Sequence, residues 1–160
     1  MPRLRTSPMA QAAWMLLVAT ALGTAAQWLS PTRIPWREAW SARAQTKATE
    51  AGIAIADTAR TRELIDNGGI LVFDARSASD YDAGHLPGAL SFPDSQRIEK
   101  YPDYAGFLTP DQQALIYCSG QTCDESLELC LFLKEQGHTN LVLYLGGYQD
   151  WTAAQLPISK

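Results

Sequence analysis

Ala114–Leu115–Ile116–Tyr117–Cys118–Ser119–Gly120–Gln121–Thr122–Cys123–Asp124–Glu125–Ser126 changes character twice within thirteen residues. Four apolar positions lead into a cysteine, and a short loop of small and polar residues follows. Beyond Ser126, Leu127, Leu129, Cys130, Leu131, Phe132 and Leu133 give a mostly apolar face at helical spacing. The pattern predicts a buried strand, a tight loop and a helix over about Asp124–Gln136, with Cys118 at the strand's C-terminal end. Ligands bind along that edge in open α/β sheets. Backbone N–H groups and the positive end of the next helix lower a thiol pKa there, so Cys118 is expected as a thiolate nucleophile.

Working outward, Ile53–Ala54–Ile55 predicts a short strand, and Asp57 or Thr58 caps a helix running to about Asp66. Asn67–Gly68–Gly69 stops that helix. Ile70–Leu71–Val72–Phe73 is a continuous apolar run, the mark of a strand covered on both faces. Ser77 caps a short helix through about Tyr81. Gly84–His85–Leu86–Pro87–Gly88 is a loop, and Ala89–Leu90–Ser91–Phe92 a short strand. Residues 94–113, with Pro102, Gly106 and Pro110, read as helical turns and loop. Leu141–Val142–Leu143–Tyr144–Leu145 is the last buried strand, and Gly146–Gly147 turns into a short helix holding Trp151. Strands alternating with helices predict an α/β fold on a largely parallel sheet.

Charge divides the chain. Residues 1–47 carry six basic side chains against Glu38 alone, whereas residues 48–160 carry 7 basic against 16 acidic. An acidic globular part lacks the basic footprint that nucleic acid requires, so no nucleic-acid partner is expected. Three cysteines within 118–130 are too few and too clustered for a disulfide scaffold. With no Cys-x-x-Cys pair and only His85 and His138, no metal site is expected, and no cofactor is implied.

No charge occurs from Thr6 through Thr32, and Met9–Leu29 is rich in Ala, Leu, Val, Met and Trp. That length approaches the roughly 20 residues a membrane-spanning helix needs. The expected organisation is a cytoplasmic N-terminus over 1–8, a transmembrane anchor or signal segment over 9–29, a flexible linker over 30–51 and a domain over 52–160. Arg3 and Arg5 set the orientation: a single pass through the inner membrane, with the domain on the periplasmic or extracellular side. Trp28 and Trp36 stand where interfacial aromatics are expected. Cleavage after Thr24–Ala25–Ala26 is the competing expectation.

Three stretches, in order, carry a family resemblance. They are Phe73–Asp74–Ala75–Arg76 through Asp80–Tyr81 and Gly84–His85–Leu86–Pro87–Gly88–Ala89–Leu90; the Tyr117–Cys118 loop; and Leu145–Gly146–Gly147–Tyr148 with Trp151 and Pro157. Together they resemble the rhodanese-like sulfurtransferases over about residues 53–158. The resemblance implies a five-stranded, mainly parallel sheet with helices on both faces. It implies a catalytic Cys118 that accepts sulfane sulfur as a persulfide and passes it to a thiol acceptor or acceptor protein. The active-site loop would be Ser119, Gly120, Gln121, Thr122 and Asp124, supported by an Asp74–Arg76 network and by His85 as a loop-fixing hydrogen bonder.

The loop narrows the chemistry. Cys-dependent phosphatases need an arginine six positions after the cysteine, and Asp124 there would repel phosphate. Many active rhodaneses carry Arg or Lys five positions after the cysteine for thiosulfate, and this chain has Cys123, then Asp124 and Glu125. Thiosulfate is therefore expected to be a poor donor. Cys123 is instead a candidate resolving thiol that could close a loop disulfide with Cys118. The expected activity is sulfur transfer. The alternatives are a thiol–disulfide redox protein using Cys118 and Cys123, and a non-catalytic binding module.

Overall fold

A computed structural model describes residues 8–29 and 40–160. Contacts separate the chain into a unit over residues 1–38 and a unit over residues 39–160. The first contains helix α1, Pro8–Leu29. It covers the expected membrane span as a helix, but among the described residues no helix is long and apolar enough to cross a membrane. The expected N-terminus up to residue 7, and residues 30–39 of the linker with Trp36, lie outside the described residues.

The second unit is built on five parallel strands: β1 Ala54–Ala56, β2 Leu71–Asp74, β3 Ala89–Ser91, β4 Ala114–Tyr117 and β5 Leu141–Tyr144. Their order is β1-β5-β4-β2-β3, which puts β4 at the centre. Burial on both faces explains why β4 and β5 read as unbroken apolar runs. The side-chain alternation of β4 feeds two cores. Ala114, Ile116 and Cys118 enter one, Leu115 and Tyr117 the other.

The Cys118 face is covered by α2 (Trp40–Glu50), α5 (Arg97–Ala105) and α6 (Glu125–Glu135), which contribute Ala44 and Ala48, Tyr101 and Tyr104, and Leu127, Leu129, Cys130 and Leu133. The Tyr117 face is covered by α3 (Thr58–Asn67), α4 (Ala78–Ala83) and α7 (Gly147–Ala153), through Leu64, Tyr81 and Trp151. The caps follow local chemistry: the Asp57 carboxylate accepts from Arg60 N and the Ser77 hydroxyl accepts from Asp80 N. Cys130 is a core residue with no exposed surface, and burial pushes its thiol pKa up.

The linker is where sequence and structure part. Residues 41–51 were expected to be a flexible tether, yet α2 buries Ala48 completely and Ala44 almost so. These alanines lie four positions apart and form a stripe too small to register as periodicity, but small enough to seat a helix closely on the sheet. Lys134 of α6 donates to the Ala51 carbonyl and ties down the end of that segment. A short 3₁₀ turn, Asp94–Gln96, leads into α5, which contains Pro102. Tyr101 and Tyr104 on either side of the proline pack into the core, which outweighs the propensity against a helix.

Candidate active site

β2 and β4 end side by side, with Asp74 paired to Tyr117 in register. Asp74 is fully buried. It accepts from the Tyr117 hydroxyl at 2.6 Å and from the Arg76 guanidinium through Nε at 2.9 Å and Nη2 at 2.6 Å. The Arg76 backbone N–H donates to Asp74 Oδ1 as well. Arg76 Nη2 also donates to the Gly84 carbonyl at 2.7 Å, and the guanidinium lies 4.2 Å from the centre of the Tyr148 ring. Leu86 N–H completes the set on the Tyr117 oxygen. Burial opposes the Arg76 charge, but the Asp74 hydrogen bonds and charge outweigh it and raise its pKa. Burial first, and then Asp74, push the Tyr117 hydroxyl well above the ordinary tyrosine range. Arg76 is thus the structural clamp beneath the strand ends.

His85 lies on the same rim. Its ring stacks on Tyr81 with centroids 3.9 Å apart, Nδ1 pairs with the Tyr81 carbonyl at 3.0 Å, and its backbone forms a bridge with Ser159. These contacts hold the Gly84–Gly88 loop against the C-terminal segment. Trp151 is buried, with its indole N–H on the Pro157 carbonyl.

The cysteine loop is fixed from the other side by α7. Tyr148 N–H donates to the Cys118 carbonyl and Gln149 N–H to the Ser119 carbonyl, both at 2.9 Å. The approach is close enough that a Cβ on Gly147 would sit 2.4 Å from the Cys118 oxygen and 2.8 Å from the Gly120 nitrogen, and Gly147 has φ +59°. Only glycine satisfies both demands. Gly120 accepts from Cys123 N–H and packs against the Gln149 side chain. Gln121 reaches Asp150 at 3.4 Å, while Thr122 and Asp124 are exposed. Asp124 precedes α6 without a capping hydrogen bond from its side chain.

Cys118 has no exposed surface. The Ser126 hydroxyl, in the first turn of α6, donates to its sulfur at 3.2 Å, and the sulfur lies 3.5 Å from the Cys123 carbonyl. Cys123 is half-buried, and its thiol faces Glu125 Oε2 at 3.4 Å. Both cysteines, like Cys130, are free thiols.

The thiol chemistry is not the one expected from strand-end placement. Interaction with the neighbouring Cys123 thiol, then burial and the Cys123 charge, raise the Cys118 pKa. Cys123 moves down instead, to about 5, because interaction with Cys118 and hydrogen bonds from the Ser119 side chain and the backbone at Ser119 and Glu125 to its sulfur outweigh burial. The first negative charge of the pair therefore settles on Cys123, and Cys118 keeps the proton. The physical reason is burial together with separate donors: Ser119 and the Glu125 backbone serve Cys123, Cys118 is the more deeply buried, and a charge on one sulfur opposes a second on its neighbour. Burial, and then the Cys123 charge and hydrogen bond, raise Glu125 to about 7, with smaller contributions from Asp94 and Asp80.

The residues expected at the site do converge. Cys118, Ser119, Gly120 and Cys123 form the loop, and Asp74, Arg76 and His85 build the rim around it. Three contributors carried no spacing signal. Tyr117 read only as the last of the four apolar positions before the cysteine and as part of the Tyr117–Cys118 stretch. Ser126 and Glu125 reach the sulfurs only because α6 starts where it does. Among the described residues, no three His, Cys, Asp or Glu side chains are grouped to hold a metal ion.

Comparison with known proteins agrees with this geometry. A Mycobacterium tuberculosis protein, HTH-type transcriptional regulator Rv0324, is 30% identical over 111 residues, covering 69% of this chain and 46% of its own length. The chain thus spans less than half of that relative. Thiosulfate sulfurtransferase GlpE of Pseudoalteromonas translucida is 28% identical over 99 residues, covering 60% of this chain and 86% of its own. Among solved structures, a rhodanese-related protein from Thermoplasma volcanium superposes with a TM-score of 0.56 at 24% identity, covering 66% of this chain and 97% of its own. A Bacillus halodurans protein gives 0.60 at 23%, covering 74% and 85%. The rhodanese-like domain family matches residues 57–154, from the cap of α3 to the end of α7. That match takes in the cysteine loop, the helix that clamps it and the Asp74–Arg76 network, and the chain belongs to the rhodanese-like family.

Proposed function

We propose that the domain is a sulfurtransferase that carries sulfane sulfur as a persulfide on Cys118. One observation carries the reading: Cys118 sits at the C-terminal end of the central strand, on a loop clamped by α7, with the Ser126 hydroxyl on its sulfur at 3.2 Å. In the loading step, Cys118 Sγ bonds to the terminal sulfur of the donor. The donor's S–S bond breaks and its electron pair leaves with the remainder of the donor. The Cys118 proton passes to the neighbouring Cys123 thiolate.

The donor class follows from charge. Loop positions 119–126 contain Asp124 and Glu125 and no basic residue, and Arg76 is committed to Asp74. A thiosulfate dianion finds no cation there, whereas a polysulfide presents a longer, softer sulfur chain with its charge spread. The GlpE relatives bear the name thiosulfate sulfurtransferase, and this domain is proposed to share their chemistry with a different preferred donor. The acceptor is proposed to be a thiol, small or on a protein.

Intact-mass measurement on the reduced, desalted full chain tests the reading. Polysulfide is expected to add one sulfur that is absent in Cys118→Ser, with slower addition from thiosulfate. Failure of both the wild-type chain and Cys123→Ser to gain sulfur from either donor, with no sulfide released, overturns it. The free Cys118–Cys123 pair supports a second reading, thiol–disulfide cycling, which predicts loss of two hydrogens with a mild oxidant and no sulfur uptake.

A further inference from the structure

The Cys118 sulfur is buried, yet transfer requires a nucleophile to reach it. Cys123 stands beside that sulfur on the half-exposed side of the loop, with its backbone carbonyl 3.5 Å from Cys118 Sγ. Glu125, which is exposed, places Oε2 3.4 Å from Cys123 Sγ. Buried thiol, half-buried thiol and exposed carboxyl form a line from the core to water.

We propose that Glu125 is a catalytic residue that relays the Cys123 proton during discharge of the Cys118 persulfide within the loop, giving hydrosulfide and a Cys118–Cys123 disulfide. This rests on the persulfide reading above. The Cys123 thiol, protonated in the loading step, passes its proton to the Glu125 carboxylate. Its sulfur attacks Cys118 Sγ, the new Sγ–Sγ bond forms, and the bond to the outer sulfur breaks. The outer sulfur takes the electron pair together with the proton held by Glu125 and leaves as hydrosulfide. One sulfane sulfur is reduced, two cysteine sulfurs are oxidised, and Glu125 ends as a carboxylate. An external dithiol reduces the loop disulfide for the next turnover.

The surroundings of Glu125 suit a proton carrier. Asp94 in the 3₁₀ turn and Asp80 in α4 are the other acidic groups acting on it, and Arg97 holds Asp94 at 2.6 Å. Burial first, and then Cys123, Asp94 and Asp80, raise the carboxyl to about 7. The relay starts from a carboxylate that takes the Cys123 proton, so discharge should slow as pH falls through about 7 and Glu125 becomes protonated beforehand.

The test loads the full-length protein with polysulfide under anaerobic conditions, removes excess donor, and follows sulfide release and protein mass without added reductant. Rates are normalised to persulfide loaded. The expected wild-type result is one sulfide per chain, with a Cys118–Cys123 disulfide on peptide mapping and a rate that falls below about pH 7. Cys123→Ser should retain its persulfide. Glu125→Gln, which keeps the shape and a hydrogen-bond donor, should discharge about a hundredfold more slowly with the decline near pH 7 abolished, and Glu125→Asp should recover part of the rate. Wild-type rate and pH profile in Glu125→Gln overturn the relay alone, and a wild-type persulfide that persists overturns discharge within the loop. A chain that never loads sulfur overturns the sulfurtransferase reading and this inference with it.

Discussion

At the scale of single residues, the site separates side chains that hold the rim from those that meet sulfur. Asp74 and Arg76 are 0% and 7% exposed at their side chains and bond through a two-pronged contact, so neither is available to an anion. Removing one partner leaves the other charge buried and alone, which costs about 3–5 kcal/mol. Arg76→Leu should therefore lower unfolding stability by about that amount in urea titration. Asp74→Asn combined with Arg76→Leu should recover much of the loss. Equal destabilisation in the single and double variants would show that the clamp is not what the arginine supplies. His85 acts in the same structural sense, through stacking and backbone pairing. Cys123 and Glu125 belong to the other class, where a few ångströms decide which sulfur is ionised.

At the scale of elements, the cysteine loop is shaped by α7 as much as by its own sequence. Two α7 N–H groups hold the Cys118 and Ser119 carbonyls, and Gly147 permits that contact at φ +59°. Gly147→Ala would force a methyl group into backbone atoms at 2.4 Å and 2.8 Å. Those atoms cannot rotate away, so the loop must shift. Sulfur loading of Cys118 should fall about a hundredfold, as misplacement by about 1 Å does elsewhere, while far-ultraviolet circular dichroism stays close to wild type. Loading at the wild-type rate would mean the clamp has no part in positioning the cysteine.

At the scale of the whole molecule, the unit that contains α2 begins at residue 39, not at 52. A chain starting at residue 39 should melt within a few degrees of the full chain. One starting at residue 52 loses Ala44 and Ala48 from the core that houses Cys118. About 1 kcal/mol lost from a domain of this size shifts Tm by about 4 °C or more, so the shorter chain should melt visibly lower by calorimetry. Matching melting temperatures for the two truncations would demote α2 to an accessory.

The sequence alone determined the alternation of strand and helix, the two-sided burial of the sheet and the placement of Cys118. Each of these is written in local periodicity and turn chemistry, and the ordered motifs around Asp74, Cys118 and Gly146–Gly147 identified the family. It misjudged α2, because two alanines four residues apart leave no amphipathic trace until a sheet is there to receive them. It marked residues 9–29 as one uncharged apolar segment, and α1 covers them as a helix. The tertiary structure alone decided which thiol carries the charge. Strand-end geometry predicts a Cys118 thiolate, but the fold buries Cys118 and sets Ser119 and the Glu125 backbone against Cys123. A thiol's pKa depends on burial and on neighbours brought together by the sheet, the loop and two helices, and no linear spacing encodes that convergence.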